Sequence, residues 1–429
     1  MELLIETLRV LREVRDWTDS RSLDRKRRVG TRDAVQRALA TAEATVAQHH
    51  RPTSVKPLGP ARQGRALPAD RPKNRENPDI EPAEDQAIPL SQIDGQALSA
   101  IRRLRRYGYR AYLVGGCVRD LLLGFTPKDF DVATDARPEE VKSLFRNSRI
   151  IGRRFRLVHL YFRGGKVIEV STFRANITAD EDDADLLIRR DNVFGSEEED
   201  ARRRDFTING LFYDLTTGKI IDHVGGMVDV RQRYLRMIGD PDIRLREDPV
   251  RILRAIRFTA KLQVRMDPEL NDAIRRNRDE ISKCAPARVM EETFRLLRIG
   301  HSERTVELMD ELGVLPVLLP EIRAFLDGHL PGAEQPLPEE ALPENAELLK
   351  RHLRALDRMI QERPVSDEVV LGALLYTPLN RTLEQDDDSG RDRNRAIANF
   401  LSSIGTRINL TRRLSEHLKQ IFLAQRSLL

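Results

Sequence analysis

A short apolar strand over residues 111–114 runs into Gly115-Gly116 and on into the helical Leu121-Leu122-Leu123, and a second strand is predicted at residues 128–133. A strand that turns on two glycines into a helix, and then returns as a strand, commits the chain to a layer mixing sheet and helix rather than to a helical bundle or an all-β sandwich. Further strands over residues 148–151, 158–162 and 167–173 extend that sheet. Ahead of it, Asp94 is the predicted N-cap of an amphipathic helix over residues 95–107, which Gly108 ends. After Asp205 the pattern becomes helical and stays so, apart from a hairpin region at 215–237 and a four-proline interruption at 328–343.

The N-terminal part reads differently. Leu3, Leu4, Leu8, Leu11 and Val14 stand at helical spacing, so one short amphipathic helix is predicted there. Residues 49–89 then hold eight of the 22 prolines with few large apolar side chains, a composition that does not repay its ordering entropy and predicts a disordered linker. The cluster Arg25-Lys26-Arg27-Arg28 reads as a solvated charge run, with RNA or membrane contact as the alternative.

Composition excludes several classes. No apolar run approaches the roughly 18 residues of a membrane span, so no membrane partner is expected. Cys117 and Cys284 are the only cysteines, too few for a disulfide framework or a four-cysteine zinc site. With no secretory signal in MELLIETLRVLREVRDW, a cytoplasmic protein is expected. Lys and Arg total 73 against 68 acidic residues, a net charge of +5, which is compatible with a polyanionic partner without demanding one.

The chemistry-bearing residues begin with Lys128-Asp129-Phe130-Asp131. Strand alternation puts Asp129 and Asp131 on one face and Phe130 on the other. Two carboxylates on one strand face suit hard divalent cations such as Mg²⁺, which share oxygen ligands with substrate phosphates. Gly115 and Gly116, between strand and helix, let backbone N–H groups approach phosphate oxygens, with Arg119 in the first helical turn. A triphosphate held at this turn would bring its α-phosphate to the acidic pair, where two metals activate an attacking hydroxyl and stabilise departing pyrophosphate.

Gly115-Gly116-Cys117-Val118-Arg119-Asp120, then Asp129-Phe130-Asp131, then Arg203-Arg204-Asp205-Phe206-Thr207-Ile208-Asn209, then Glu247-Asp248-Pro249-Val250-Arg251 with Arg254 and Arg257 resemble the class II nucleotidyltransferases. That family joins tRNA CCA-adding enzymes to bacterial poly(A) polymerases within the polymerase-beta-like superfamily. The resemblance runs from about residue 90 to at least residue 320. It implies an α+β fold: a nucleotidyltransferase head with a mixed β-sheet, followed by all-α neck and body. The expected division is an N-terminal extension at 1–88, head at 89–224, neck at 225–300 and RNA-binding body at 301–429.

The same resemblance implies roles. Asp129 and Asp131 would hold two Mg²⁺ ions, with Asp205 the preferred third carboxylate and Glu169, on the strand over 167–173, the second candidate. Gly115, Gly116 and Arg119 would hold the triphosphate of ATP. Arg203, Arg204, Asn209, Asp248, Arg251 and Arg254 would define the sugar and base environment, with protein rather than a template choosing the nucleotide. Local patterns agree in part: Ser196 and Glu199 make a capping box for the helix that precedes the arginines, and Asp248 with Pro249 is the predicted start of the next. His159 reads as a structural residue, and Cys117 as a tolerated small side chain.

Two segments lean toward the polymerase branch. Ile150-Ile151-Gly152-Arg153-Arg154-Phe155-Arg156-Leu157-Val158-His159-Leu160 and Arg190-Asp191-Asn192-Val193-Phe194-Gly195-Ser196 both resemble bacterial poly(A) polymerases. Arg153, Arg154 and Arg156 would form a basic edge beside the cleft. The further helical segment and basic tail of those polymerases have no counterpart before Ser427-Leu428-Leu429, so their RNA affinity and processivity do not carry over as expectations, and the basic N-terminal extension would supply part of that electrostatic attraction. The expected activity is addition of AMP from ATP to RNA 3′ ends by a monomer. The alternatives are tRNA CCA addition and an RNA-binding protein with an inactive core.

Overall fold

The computed structural model describes residues 88–152, 156–175, 193–329, 336–385 and 390–426. The helix expected at residues 3–14, the Arg25–Arg28 cluster, nearly all of the proline-rich segment, Arg153, Arg154 and Arg190 to Asn192 lie outside them. The described chain divides into two compact units, one ending at Glu280 and one beginning at Ile281.

In the first unit the chain runs α1 (Gly95–Arg106), β1 (Ala111–Val114), α2 (Gly116–Leu122), β2 (Asp131–Thr134), α3 (Pro138–Leu144), β3 (Ser148–Ile151), β4 (Leu157–Tyr161) and β5 (Val167–Thr172). It continues through α4 (Glu197–Arg202), β6 (Leu211–Asp214), β7 (Lys219–Asp222), α5 (Gly226–Gln232), α6 (Pro241–Glu247), α7 (Val250–Leu262) and α8 (Pro268–Asn277). The main sheet has the order β3-β4-β5-β2-β1-β6-β7, with β2 and β5 parallel and the other neighbours antiparallel. The mixed sheet is thus as the sequence predicts.

Local signals place several element starts. Asp94 accepts from the N–H groups of Gln96 and Ala97, and Ser196 and Glu199 cap α4 reciprocally. Three boundaries differ from expectation. The strand predicted at 128–133 pairs only from Asp131, opposite Val114 and Glu169, so Asp129 stands exposed in the bend ahead of it. Asp248 closes α6 instead of capping α7 through its side chain, and α7 begins at Val250. Of the hairpin region expected at 215–237, β7 is the second strand of a β6–β7 hairpin that begins at Leu211; the chain then turns helical at α5 and returns to a short strand, Tyr234–Leu235, that pairs with Arg265–Met266.

The core of this unit gathers Tyr112, Val114, Ala133, Phe173, Ala201, Phe212 and Ile221. Phe173 stacks on Tyr112 and meets Phe212 edge-on, each with centroids 6.1 Å apart. Burial of each such side chain contributes roughly 2 kcal/mol from area alone. Because Ala201 lies in that core, α4 is fixed on the sheet, and the arginines that follow it have a defined origin.

The second unit is helical, including Pro286–Leu297, Leu342–Glu362, Asp367–Gln385, Gly390–Ile408 and Arg412–Arg426. Its longest helix buries Leu349, Leu353, Leu356 and Met359 along one side.

Candidate nucleotidyl-transfer site

Gly115 sits at φ +72° and ψ −128°, a conformation that L side chains rarely adopt. A Cβ there would lie 3.1 Å from Nη1 of Arg204, so that guanidinium rests against the glycine turn. Gly116 opens α2, and its own Cβ position is 3.5 Å from Nη2 of Arg119. Arg204 is held from behind: Nη2 donates to Asp200 Oδ2 at 2.8 Å, and the guanidinium lies 5.4 Å from the Phe212 ring centroid. Arg203 donates from Nε to Oδ1 of the same buried Asp200 at 3.3 Å.

Asp131 begins β2 with Glu169 directly opposite on β5. Burial pushes the Asp131 carboxyl up to about 6; the negative charges of Glu169 and Asp129 add to that, while Arg204 opposes it. The turn, Arg204, Asp131 and Glu169 therefore form one electrostatic neighbourhood. Its carboxylates repel one another, and a dication would relieve that repulsion, so hard oxygen donors and charge both fit Mg²⁺. No cluster of three or more metal-ligating side chains occurs among the described residues. The remaining ligands would be phosphate and water oxygens, which Mg²⁺ commonly keeps.

The other predicted residues form a second, internal network. Arg119 is buried: Nε and Nη2 donate to Asp120 Oδ1, Nη1 donates to Asn209 Oδ1, and the guanidinium lies 4.8 Å from the Phe258 ring centroid. Asn209 Nδ2 donates to Asp205 Oδ1 at 2.9 Å. Asp205 Oδ2 accepts from Arg254 Nε at 2.8 Å and Nη2 at 2.5 Å. Burial by itself would raise the Asp205 carboxyl, but Arg254, Asn209 and the Phe206 N–H together hold it well below the usual carboxylate range. Asp205, ranked first from sequence as the third carboxylate, is thus engaged with Arg254, whereas Glu169 stands across from Asp131. Arg119 is likewise engaged with Asp120 and Asn209, with its Nη2 beside Gly116 at the turn.

The helix pair α6 and α7 is tied by a carboxylate shared between two arginines. Glu247 Oε2 accepts from Arg244 Nη1 at 2.6 Å and Arg251 Nη1 at 3.2 Å, and Arg251 Nη1 also donates to the Arg244 carbonyl at 2.7 Å. Nη2 of Arg244 donates to the carbonyls of Arg203 and Arg204 at 2.6 and 2.9 Å, which fastens α6 to the arginine segment. Sequence reasoning missed Arg244 and Asp200. The only trace of Arg244 is its spacing of three from Glu247, which any surface pair on a helix shares. Asp248 lies between the two helices at the end of this network.

The family model for the poly A polymerase head domain matches residues 111–236, and that for the "probable RNA and SrmB-binding site of polymerase A" matches residues 263–326. Poly(A) polymerase I of Salmonella typhi is 47% identical over 253 residues, covering 57% of this chain and 54% of that protein. A CCA-adding enzyme of Bacillus licheniformis is 35% identical over 222 residues, covering 51% of this chain and 54% of that protein. The chain spans about half the length of the curated relatives it matches. A solved structure of a CCA-adding enzyme with ATP aligns over 80% of this chain and 72% of that one, with a TM-score of 0.55 and 20% identity, a likeness of fold.

Proposed function

We propose that this chain, a member of the class II nucleotidyltransferases through its head domain and the segment that follows, is a template-independent polynucleotide adenylyltransferase. It transfers AMP from ATP to the 3′-hydroxyl of RNA: a bond forms between the RNA O3′ and the α-phosphorus, and the bond from that phosphorus to the pyrophosphate leaving group breaks. The observation that carries this reading is the register pairing of Asp131 with Glu169 beside the Gly115 turn and Arg204. Identity of 47% to a poly(A) polymerase against 35% to a CCA-adding enzyme supports ATP as the nucleotide used repeatedly.

In this reading Asp129 and Asp131 hold two Mg²⁺ ions, and Glu169 takes the third carboxylate position in preference to Asp205. Bound there, the ions supply hydroxyl activation and neutralisation of the triphosphate charge. Gly115 and Gly116 admit the triphosphate to the backbone, and Arg204 and Arg203 face it with donors that Asp200 has already oriented. Little other covalent machinery is needed, because phosphoryl transfer depends mostly on positioning and charge stabilisation.

Asp205 and Arg254 keep α7 against the catalytic segment, with Arg119 and Asn209 extending that link toward α2. Asp248 and Arg251, at the junction of α6 and α7, frame the nucleobase. Residues 89–224 act as head, 225–300 as neck and 301–429 as an RNA-holding body, in a monomeric cytoplasmic enzyme. No helix among the described residues is long and apolar enough to cross a membrane.

The test is incorporation of each single labelled nucleotide, with Mg²⁺, onto oligo(A) and onto tRNA lacking its CCA end, resolved by product length. Long ladders from ATP alone are expected. Addition that depends on CTP and stops at CCA on tRNA assigns the chain to the other branch, and no incorporation from any nucleotide refutes the enzyme reading.

A further inference from the structure

Strand register lines up one residue per strand across four strands of the main sheet. Asp131 on β2 is opposite Glu169 on β5, Glu169 is opposite His159 on β4, and His159 is opposite Arg149 on β3. Residues opposite one another in register share a face of the sheet. The reverse face is apolar and closed: Val158, Leu160, Ile168 and Val170 are at most 1% exposed. The face with the row is accessible, and beside the row it carries Tyr161 at 39% and Ile151 at 38% exposure.

These side chains touch. His159 Nε2 lies 3.4 Å from Glu169 Oε2, the His159 and Tyr161 rings meet edge-on at 6.1 Å, and the Arg149 guanidinium is 5.8 Å from the Tyr161 ring centroid. Arg149 is exposed. The row is therefore acidic at Asp131, aromatic in the middle and cationic at its outer end. With strands about 4.8 Å apart, it spans roughly 14 Å.

Direction matters as much as composition. In the sheet order the glycine turn and Arg204 lie on the β1 side of Asp131, whereas the row leads away through β5, β4 and β3. A triphosphate at the turn leaves the row free for the second substrate. Single-stranded nucleic acid is bound by aromatic rings that stack on bases and by cations that meet phosphates, and an accessible sheet face bearing both suits it.

Building on the polyadenylation reading, we propose that this row is the path of the RNA primer. The 3′-terminal nucleotide reaches Asp131, the nucleotides upstream lie across His159 and Tyr161, and a phosphate meets Arg149.

Anisotropy of 5′-labelled oligo(A) bound to the full chain with Mg²⁺ and without ATP tests the path independently of turnover. Tyr161→Ala and Arg149→Ala are each expected to raise Kd about fivefold or more, and Tyr161→Phe to keep wild-type affinity. Arg149→Ala is also expected to reduce the slope of log affinity against log salt by about 0.7, one phosphate contact on a single strand. ATP affinity, measured by equilibrium dialysis, stays unchanged in all three. A photoreactive base near the RNA 3′ end is expected to cross-link within residues 157–161. Unchanged RNA affinity in both alanine variants, or cross-links confined elsewhere, overturns the path whatever the enzyme does with ATP. Affinity that falls as stated in a chain that incorporates no nucleotide supports the path and removes the polymerase reading alone.

Discussion

Arg254 grips the buried carboxylate of Asp205 through two nitrogens, Nε at 2.8 Å and Nη2 at 2.5 Å, and so ties α7 to the segment that follows α4. The other oxygen of Asp205 accepts from Asn209, whose amide oxygen accepts from Arg119 on α2. One acidic side chain thus couples the helix after the glycine turn to the helix proposed to frame the nucleobase. A carboxylate so engaged acts through position, in keeping with the proposal that Asp129, Asp131 and Glu169 are the carboxylates at the metals.

Asp205→Asn is expected to cost about 2 kcal/mol at pH 7, below the 3–5 kcal/mol of a fully buried broken pair because Arg254 retains some access to water. A carboxyl whose folded pKa is depressed contributes stability above its unfolded value, near 4, and loses it as pH falls toward the folded value. The gap between wild type and variant should therefore close as pH drops below about 4. Urea unfolding at pH 7 and pH 3 checks both statements, and equal midpoints at pH 7 would rule out a stabilising pair.

Asp131 behaves in the opposite sense. Its carboxyl is raised to about 6 by burial and by Glu169 and Asp129, so without a dication the protein loses stability as pH climbs from about 4 through 6. Asp131→Asn is expected to be more stable than wild type at pH 7 by about 1–3 kcal/mol, and equal to it at pH 4. Adding Mg²⁺ should raise the wild-type Tm at pH 7 and leave that of the variant nearly unchanged, while nucleotide incorporation is lost. Thermal melts with Mg²⁺ and with EDTA decide it; a wild-type Tm indifferent to the ion contradicts the metal assignment.

Gly115→Ala tests the turn. At φ +72° and ψ −128° an alanine is strained, which costs of the order of 1–3 kcal/mol, and its Cβ would crowd Arg204 Nη1 at 3.1 Å. Displacing that guanidinium should raise KM for ATP several-fold more than KM for RNA. Steady-state kinetics varying each substrate in turn separates the two effects; equal changes in both would indicate a general loss of fold instead.

The strand–glycine–helix–strand pattern was legible because each part follows local rules: apolar strand residues, a positive-φ glycine, and caps at Asp94 and Ser196. The arginine motifs were legible as chemistry but not as geometry. Arg119, Arg251 and Arg254 read from sequence as side chains facing the substrate, and the structure shows all three engaged with protein carboxylates or carbonyls. Which partner an arginine takes depends on pairings 49 or 90 positions away, and periodicity carries no such information. Glu169 was visible as a carboxylate on a strand, but its place opposite Asp131 follows from parallel pairing of β2 with β5, which strand composition leaves undetermined. His159 read as structural, and only the register across β3, β4 and β5 brings it into a row with Arg149.

Asp200 went unnoticed in the sequence because it sits in an acidic run, Glu197 to Asp200, that looks like a solvated helix start. In the structure it is buried and accepts from the Arg174 N–H at 3.3 Å, Arg203 Nε at 3.3 Å and Arg204 Nη2 at 2.8 Å. Removing it takes one shared carboxylate partner from two guanidinium groups whose orientation is proposed to matter at the triphosphate. Asp200→Ala should raise KM for ATP about tenfold and lower kcat less, since saturating ATP restores much of the lost positioning. The helix keeps its Ser196–Glu199 capping box and its Ala201 contact with the core, so the stability cost should stay near 1–2 kcal/mol. Kinetics at varied ATP, paired with a urea melt of the same preparation, gives the answer. A fall in kcat with KM unmoved would mean that Asp200 serves the chemical step or the fold, and that the two arginines are oriented by something else.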